Sequence, residues 1–414
     1  MRRQGRGAVG RFGGAVLAVP VLLALAPAMA EAQDVEPVMQ RSRPEYEAQG
    51  IRMGSFIALP SATVTVEHDD NFFSTHSNAQ DETIYALRPE VVIASDWGTH
   101  SVELRSWGEG LLHENFDDDD QFNYYLGLRG TADVLSDMQL IGAASFLRDH
   151  EDRGSGDSFR LFDKPVEFER FETSLGVDKR FNRLRMRATA GFRNDDYHDT
   201  SIGGANVDED YRDGQFYNLT DRLSYEVSPA TAVFFQAAYD VKDYRGSEFD
   251  GDGVKAIGGV EFEMTHLVRG EVGGGWMSFD FDDPTRDDIE TYTYSTKLFW
   301  DPTPLVSVSL FGDRDVSISS EFGSSSTVVS TLNARIDYEF RRNIILSALG
   351  GYEWTEYEDI VRDDEKGTAE IQAQYLISAH LSALLSLRHV DFDSSIDGID
   401  YDKNVATAGL KAQW

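Results

Sequence analysis

From about Ser55 to Trp414 the chain repeats one pattern: runs of roughly a dozen residues alternate between apolar and polar side chains, and turns separate the runs. From Leu184 to Arg193, the residues Leu184, Met186, Ala188, Ala190 and Phe192 point one way. Arg185, Arg187, Thr189, Gly191 and Arg193 point the other. Between Phe122 and Asp133, Phe122, Tyr124, Leu126, Leu128 and Ala132 oppose Asn123, Gly127, Arg129, Thr131 and Asp133. Leu332, Ala334, Ile336, Tyr338 and Phe340 oppose Asn333, Arg335, Asp337 and Glu339. Period-two alternation predicts β-strands with one apolar and one polar face.

The connections fall into two kinds that alternate along the chain. Short ones include Asp96-Trp97-Gly98, Leu135-Ser136-Asp137, Phe181-Asn182-Arg183, Ser228-Pro229-Ala230, Thr265-His266-Leu267, Asp301-Pro302-Thr303-Pro304, Arg341-Arg342-Asn343 and Ser378-Ala379-His380. Long, acidic ones include Asp117 to Asp120, His150 to Lys164, Asp195 to Arg212, Asp280 to Asp288, Tyr357 to Glu365 and Asp391 to Asp402. Short turns at one end and long loops at the other are the layout of a transmembrane antiparallel up-and-down β-barrel. Counting runs predicts about 18 strands over residues 55–414, and an even count brings both chain ends to the short-turn side. A soluble sandwich shows the same alternation on any one strand, so the decision rests on number and closure. That many long strands, with no helix to cover a sheet, leave no open edge only if the sheet closes. Aromatics near strand ends read as interface girdles: Tyr85, Phe116, Tyr124, Tyr239, Tyr292, Tyr294, Trp300, Tyr352 and Trp354.

Composition narrows the function. Asp and Glu number 72 against 38 Lys and Arg, a formal charge of -34, which argues against nucleic acid as a partner. Cysteine is absent, so there is no thiolate metal site, disulfide or cysteine nucleophile, and no cofactor is expected. Mean hydropathy is -0.38, and no apolar run after residue 30 is long enough for a helical span.

Residues 1–32 read as a secretory signal peptide. Arg2, Arg3, Arg6 and Arg11 precede an apolar run from Ala15 to Ala26. Ala28-Met29-Ala30 and Ala30-Glu31-Ala32 then offer small-x-small cleavage patterns. Residues 33–54 are expected to form a periplasmic segment, read here as a flexible tail, with partner docking or a partial plug as alternatives. The last run alternates Ala406, Ala408, Leu410, Ala412 and Trp414 with Thr407, Gly409, Lys411 and Gln413. A terminal aromatic on such a strand resembles the signal read by the bacterial barrel-assembly machinery, where Phe is commoner than the Trp414 present here.

One stretch carries a more specific likeness. Arg43-Pro44-Glu45-Tyr46 is followed by Gly50-Ile51-Arg52-Met53-Gly54-Ser55-Phe56, Pro60 and Asp69-Asp70-Asn71-Phe72. This resembles the entry segment and first strand of the β-barrel porin family found with bacterial exopolysaccharide and capsule genes. The resemblance implies an outer-membrane barrel that passes a secreted polysaccharide, beside a periplasmic polysaccharide-export protein and within lipid and lipopolysaccharide.

A barrel of this size leaves an aqueous channel whose selectivity depends on inward side chains. Alternation nominates Arg88, Glu90, Glu103, Arg105, Glu109, Arg129, Arg185, Arg187, Arg193, Arg222, Asp240, Lys242, Lys297, Arg335, Asp337 and Arg388 as lumen-lining. Mixed signs suit ion-pair ladders in the wall, and equally suit contacts to sugar hydroxyls or acidic sugars. The acid run Asp117, Asp118, Asp119 and Asp120 is a weak candidate for divalent cations, since solvated loops look the same. No catalytic constellation stands out: His68 and His198 sit near carboxylates without a nucleophile motif. The expected role is an exopolysaccharide conduit. A general or cation-preferring diffusion porin and an adhesive surface barrel are the alternatives, and an outer-membrane hydrolase ranks behind both.

Overall fold

The computed structural model describes residues 37–154, 162–246, 249–265, 267–318 and 326–414. The signal expected over residues 1–32 lies outside them, as do residues 33–36 and parts of four connections. The first strands are β1 (Ile51–Met53), β2 (Phe56–Asp69), β3 (Glu82–Ser95), β4 (His100–His113), β5 (Gln121–Leu135), β6 (Met138–His150), β7 (Glu167–Phe181) and β8 (Leu184–Tyr197). A loop hairpin follows, β9 (Thr200–Ile202) and β10 (Ala205–Val207). Then come β11 (Gly214–Ser228), β12 (Thr231–Tyr244), β13 (Gly251–Thr265), β14 (Val268–Phe281), β15 (Ile289–Thr303) and β16 (Val306–Ile318). The last five are β17 (Ser326–Arg341), β18 (Ile344–Tyr357), β19 (Asp363–Ser378), β20 (Leu381–Ser394) and β21 (Tyr401–Gln413).

Leaving out β1, β9 and β10, eighteen strands pair antiparallel with their sequence neighbours, and β2 pairs with β21. That last ladder closes the sheet, so every strand has two partners and no edge remains. The start of β2 and the end of β21 lie at the short-turn end, where Gln413 N–H donates to the His380 carbonyl at 3.0 Å. The short turns are tight enough to need special backbone at Asn182, which has φ +57° in the β7–β8 turn.

Directly paired residues face the same side, so register carries one face around the whole wall. Arg187 opposes Asp178 and Arg222, and Arg222 opposes Gln236. The opposite face carries Leu128, Leu175, Leu219, Phe235, Leu385 and Leu410, all at least half exposed. The polar face is the concave one. Arg222 on β11 reaches Glu271 on β14 at 2.6 Å. The backbones of those strands are three spacings apart, about 14 Å around the wall, a gap two side chains bridge only across a concave surface. Asp221 is the exception on the apolar face, an acid at mid-strand between Ala188 and Ala237.

Two features depart from a plain cylinder. The β15–β16 ladder stops at Ser295 and Asp313, although both strands continue beyond it. Above that point the β16–β17 hairpin leaves the wall and folds inward. Val328, on the outward period of β17, is 1% exposed, whereas Leu332 and Ile336 below it are 42% and 46% exposed. Val328 and Val316 pack on Met277, Phe279, Phe281 and Ile289, which stand on the inner face of β14 and β15. The Thr293 hydroxyl donates to the Arg314 carbonyl at 2.7 Å, and Lys255 pairs with Asp315 across the same layer.

The second departure is the segment before β2, which sequence reasoning assigns to a flexible tail. Residues 37–50 instead cross the short-turn mouth from β2 to β16 and β17, six and five places away around the wall. Val38 N–H donates to Ser307 Oγ at 2.8 Å. Arg41 and Arg43 both donate to Glu339 Oε2, at 3.0 and 2.8 Å. The Gln413 side-chain amide donates to the Tyr46 carbonyl at 3.1 Å. Gly50 makes the bend possible, with φ +71° and room for no Cβ, which would sit 2.5 Å from the Ile57 side chain. Val38, Arg43 and Glu339 are buried, so the segment is held by burial as well as charge. Glu339→Ala should leave two arginines without their shared carboxylate and cost about 3 kcal/mol. The expected outcome is new protease cleavage within residues 37–50 and a larger single-channel conductance; an unchanged digest would show that other contacts hold the segment.

Candidate functional site

The site is the inner wall. By register, all sixteen nominated charged residues lie on the concave face. Most are engaged there. Arg222 joins Glu261 and Glu271, each at 2.6 Å, and Lys297 adds to Glu271 at 3.0 Å. Arg185 and Arg187 share Asp178 at 2.6 and 2.8 Å. Arg335 holds Asp337 at 2.8 Å, and Ser347 donates to the same carboxylate at 2.5 Å. Asp240 accepts from the Asn218 amide at 2.7 Å.

Other contacts are looser. Arg88 approaches Glu109 at 3.8 Å while lying 4.0 Å from the Trp107 ring centroid. Arg105 comes no nearer than 3.7 Å to Glu90 and 4.0 Å to Glu103. Arg388 meets Glu67 at 4.0 Å. Arg193 lies 3.3 Å from Asp195 and 4.1 Å from the Phe216 ring centroid. Arg129 and Lys242 have no ion pair among the described residues, although Lys242 stands 4.8 Å from the Phe279 ring.

Several partners were not nominated from sequence: Asp178, Glu261, Glu271, Glu67 and the indole of Trp107. The same period-two rule, applied to Glu167–Phe181 and Gly251–Thr265, places Asp178 and Glu261 on this face. Which cation each acid meets is a matter of curvature and not of period.

Of the girdle aromatics, Tyr85, Tyr239, Tyr292, Trp300 and Trp354 are exposed on the outward face. Phe116 differs from the expectation. It belongs to the connection between β4 and β5, where it stacks on Phe72 at 5.7 Å and meets Phe73 edge-on at 4.7 Å. Trp414 is half exposed at the short-turn rim, its N–H bonded to the Pro60 carbonyl at 3.1 Å.

The long-loop end is acidic in two ways. Along the outward rim, register sets Glu169 opposite Asp196, Asp252 opposite Asp280, Glu356 opposite Asp363, Glu365 opposite Asp393 and Asp391 opposite Asp402. Like charges so placed repel. Within the run Asp117 to Asp120, by contrast, Asp117 and Asp118 are exposed while Asp119 and Asp120 are taken up by local structure. Asp119 is 2% exposed and holds Arg153, and Asp120 accepts from the His113 N–H at 2.7 Å. The carboxylates that converge within 4.8 Å among the described residues are instead Asp199, Asp208 and Asp210.

A loop carboxylate also organises the β9–β10 hairpin. Asp163 accepts from the N–H groups of Gly203 and Gly204, both at 2.8 Å. Those bonds, Gly204 first, then Gly203 and the Ser201 hydroxyl, hold the Asp163 carboxyl below the usual aspartate range.

The family model described as "Putative beta-barrel porin 2" matches residues 43–414. No curated protein matches the sequence. Solved structures similar to it include the outer membrane protein OpdK from Pseudomonas aeruginosa, at 12% identity and TM-score 0.44, covering 86% of this chain and 99% of that one. A mutant of the ferric enterobactin receptor PfeA from Pseudomonas aeruginosa is similar at 7% identity and TM-score 0.48, over 89% of this chain and 81% of that one. The siderophore receptor PiuA from Acinetobacter baumannii is similar at 10% identity and TM-score 0.47, over 88% and 82%.

Two outcomes test the wall and the loop. Replacing Arg185 and Arg187 by Ser together leaves Asp178 without its cations, so the reversal potential under a salt gradient should shift toward cation preference. No shift would mean that these side chains do not border the conducting path. Because the folded pKa of Asp163 is depressed, its contribution is present above the ordinary aspartate range and lost as pH falls through the folded value. Asp163→Asn should therefore expose residues 200–207 to protease at neutral pH, and strong acid should do the same for the unaltered protein. Equal cleavage rates for the two proteins at neutral pH would contradict this.

Proposed function

This chain belongs to the Putative beta-barrel porin 2 family, and from that premise we propose that it is a conduit carrying a secreted polysaccharide across the outer membrane. The supporting observation is the inner wall itself: among the described residues, charged and polar side chains are spread around eighteen strands instead of gathering at one point. Polymer passage calls for many weak contacts along a path, since one tight site would halt the chain. Arg–carboxylate ladders supply such contacts, because each arginine keeps donors free for sugar hydroxyls while its charge stays balanced.

The likeness over Arg43 to Phe72 supports the choice of cargo, and the family match begins at residue 43, within that stretch. A leader over residues 1–32 delivers the chain to the periplasm, and the barrel-assembly machinery reads the strand ending in Trp414. Lipid and lipopolysaccharide surround the apolar face. A periplasmic polysaccharide-export protein meets the short-turn mouth, where residues 37–50 lie. The driving force comes from synthesis and export on the inner side, and this barrel guides passively.

A strain lacking the protein should hold polymer in the periplasm and show little outside the cell. Undiminished polymer outside, together with slower uptake of small solutes, would overturn the export reading in favour of a diffusion porin.

A further inference from the structure

The inner wall is not evenly balanced. On β4 to β8, β11 and β12 a recess of about 610 Å³ opens toward the lumen. Its lining carries five cations, Arg105, Arg129, Arg187, Arg193 and Lys242, against three acids, Glu103, Glu172 and Asp240. In a chain with a net charge of -34, a concave surface of the opposite sign needs a reason.

Pairing sharpens the contrast. Elsewhere on the same face several cations sit close to acids, as in Arg222 with Glu271 at 2.6 Å, Arg335 with Asp337 at 2.8 Å and Lys403 with Asp69 at 3.0 Å, while Arg88 and Arg388 are held more loosely. In the recess Arg187 has such a partner, Asp178, at 2.8 Å, while Arg193 stands 3.3 Å from Asp195 and Arg105 3.7 Å from Glu90. Arg129 and Lys242 have none among the described residues. The Nε atoms of Arg105 and Arg193 are buried and make no well-formed hydrogen bond, their carboxylate neighbours Glu90 and Asp195 lying 3.7 and 3.3 Å away. Buried donors and charges that lack partners are costly, so the wall is most stable when an anion supplies the missing oxygens.

The surroundings say which anion. Flat guanidinium forks favour a carboxylate, which accepts two parallel N–H bonds. Phe216, with Arg193 over one ring face, and Tyr125, stacked on Trp107, also line the recess and add apolar ring surface of the kind that packs on the C–H face of a sugar. Asn218, Thr189 and Ser174 offer hydroxyl and amide partners beside them. The volume is that of an ordinary small-ligand site. We propose that this recess is a subsite for carboxylate-bearing sugar units, that is, for the uronic acid residues of an acidic polysaccharide. The proposal rests on the conduit reading and deepens it. The interleaved acids keep binding weak enough for release, as a conduit needs.

The test uses the full-length barrel refolded in detergent, with glucuronate as probe and glucose as the neutral control, followed by saturation-transfer NMR and by current block in planar bilayers. Glucuronate should bind at least about tenfold more tightly than glucose, and raising the salt should weaken it. The double variant Arg129→Gln/Lys242→Gln should lose about tenfold in glucuronate affinity, and Arg129→Lys/Lys242→Arg should retain most of it. Heat-modifiable gel mobility checks that each variant is folded. If the Gln variant does not fold, the salt dependence of the unaltered barrel decides the matter. Glucuronate behaving like glucose, or binding without regard to salt, would overturn the proposal. A barrel that fails this test while its deletion still traps polymer leaves the conduit standing and removes only the uronate subsite. Uronate binding without any export defect does the reverse.

Discussion

The structure depends on one constraint: inside hydrocarbon every backbone N–H and C=O must find its partner within the protein. A sheet meets that demand only by closing, and the β2–β21 ladder is the closure. Once closed, an antiparallel wall turns each strand's alternation into an inside and an outside. The outside is apolar because lipid offers no hydrogen bonds, and the inside is polar because it encloses water.

Closure has a second effect on charge. On a flat sheet, side chains three strands apart do not meet. On a concave wall they converge, so Arg222 reaches Glu271 and Lys255 reaches Asp315. The inner wall is therefore a network whose members lie far apart in sequence. Its density varies: pairs are close at Arg222, Arg335 and the Asp178 cluster, and loose at Arg105, Arg129 and Lys242 in the recess. That unevenness, and not the overall charge, is what gives the lumen a preferred side for an anionic group. The surplus acid of the chain lies elsewhere, in the long loops and along the outward rim at their end, where it meets solvent.

The lumen is narrowed from both ends by the chain itself. The β16–β17 hairpin folds inward at the long-loop end because Val316 and Val328 find apolar partners on β14 and β15 that water would not provide. Residues 37–50 cross the other mouth because Glu339 offers one carboxylate to two arginines. The inward hairpin ends the β15–β16 ladder at Ser295 and Asp313, whereas the mouth segment leaves the β2–β21 closure intact.

The β class, the strand number, the end of the barrel at which its first and last strands begin and finish, and the face of every nominated charge were legible in the sequence. All follow from a period of two, which is local: Arg185 and Leu184 declare their sides to a reader of ten residues. Tertiary structure alone decided the rest. Phe116 looks like a girdle aromatic until Phe72 and Phe73 gather it into a loop cluster. Val328 keeps the outward period of Leu332 and yet is buried, because its strand has left the wall. Residues 37–50 carry the polarity of a tail and are held by a carboxylate about 300 residues away in the chain. Periodicity reports which way a side chain points, whereas the identity of its neighbour depends on how the wall curves and where the chain folds back. No local pattern encodes those, which is why Arg129 and Arg222 read alike in sequence and only one of them has found its acid.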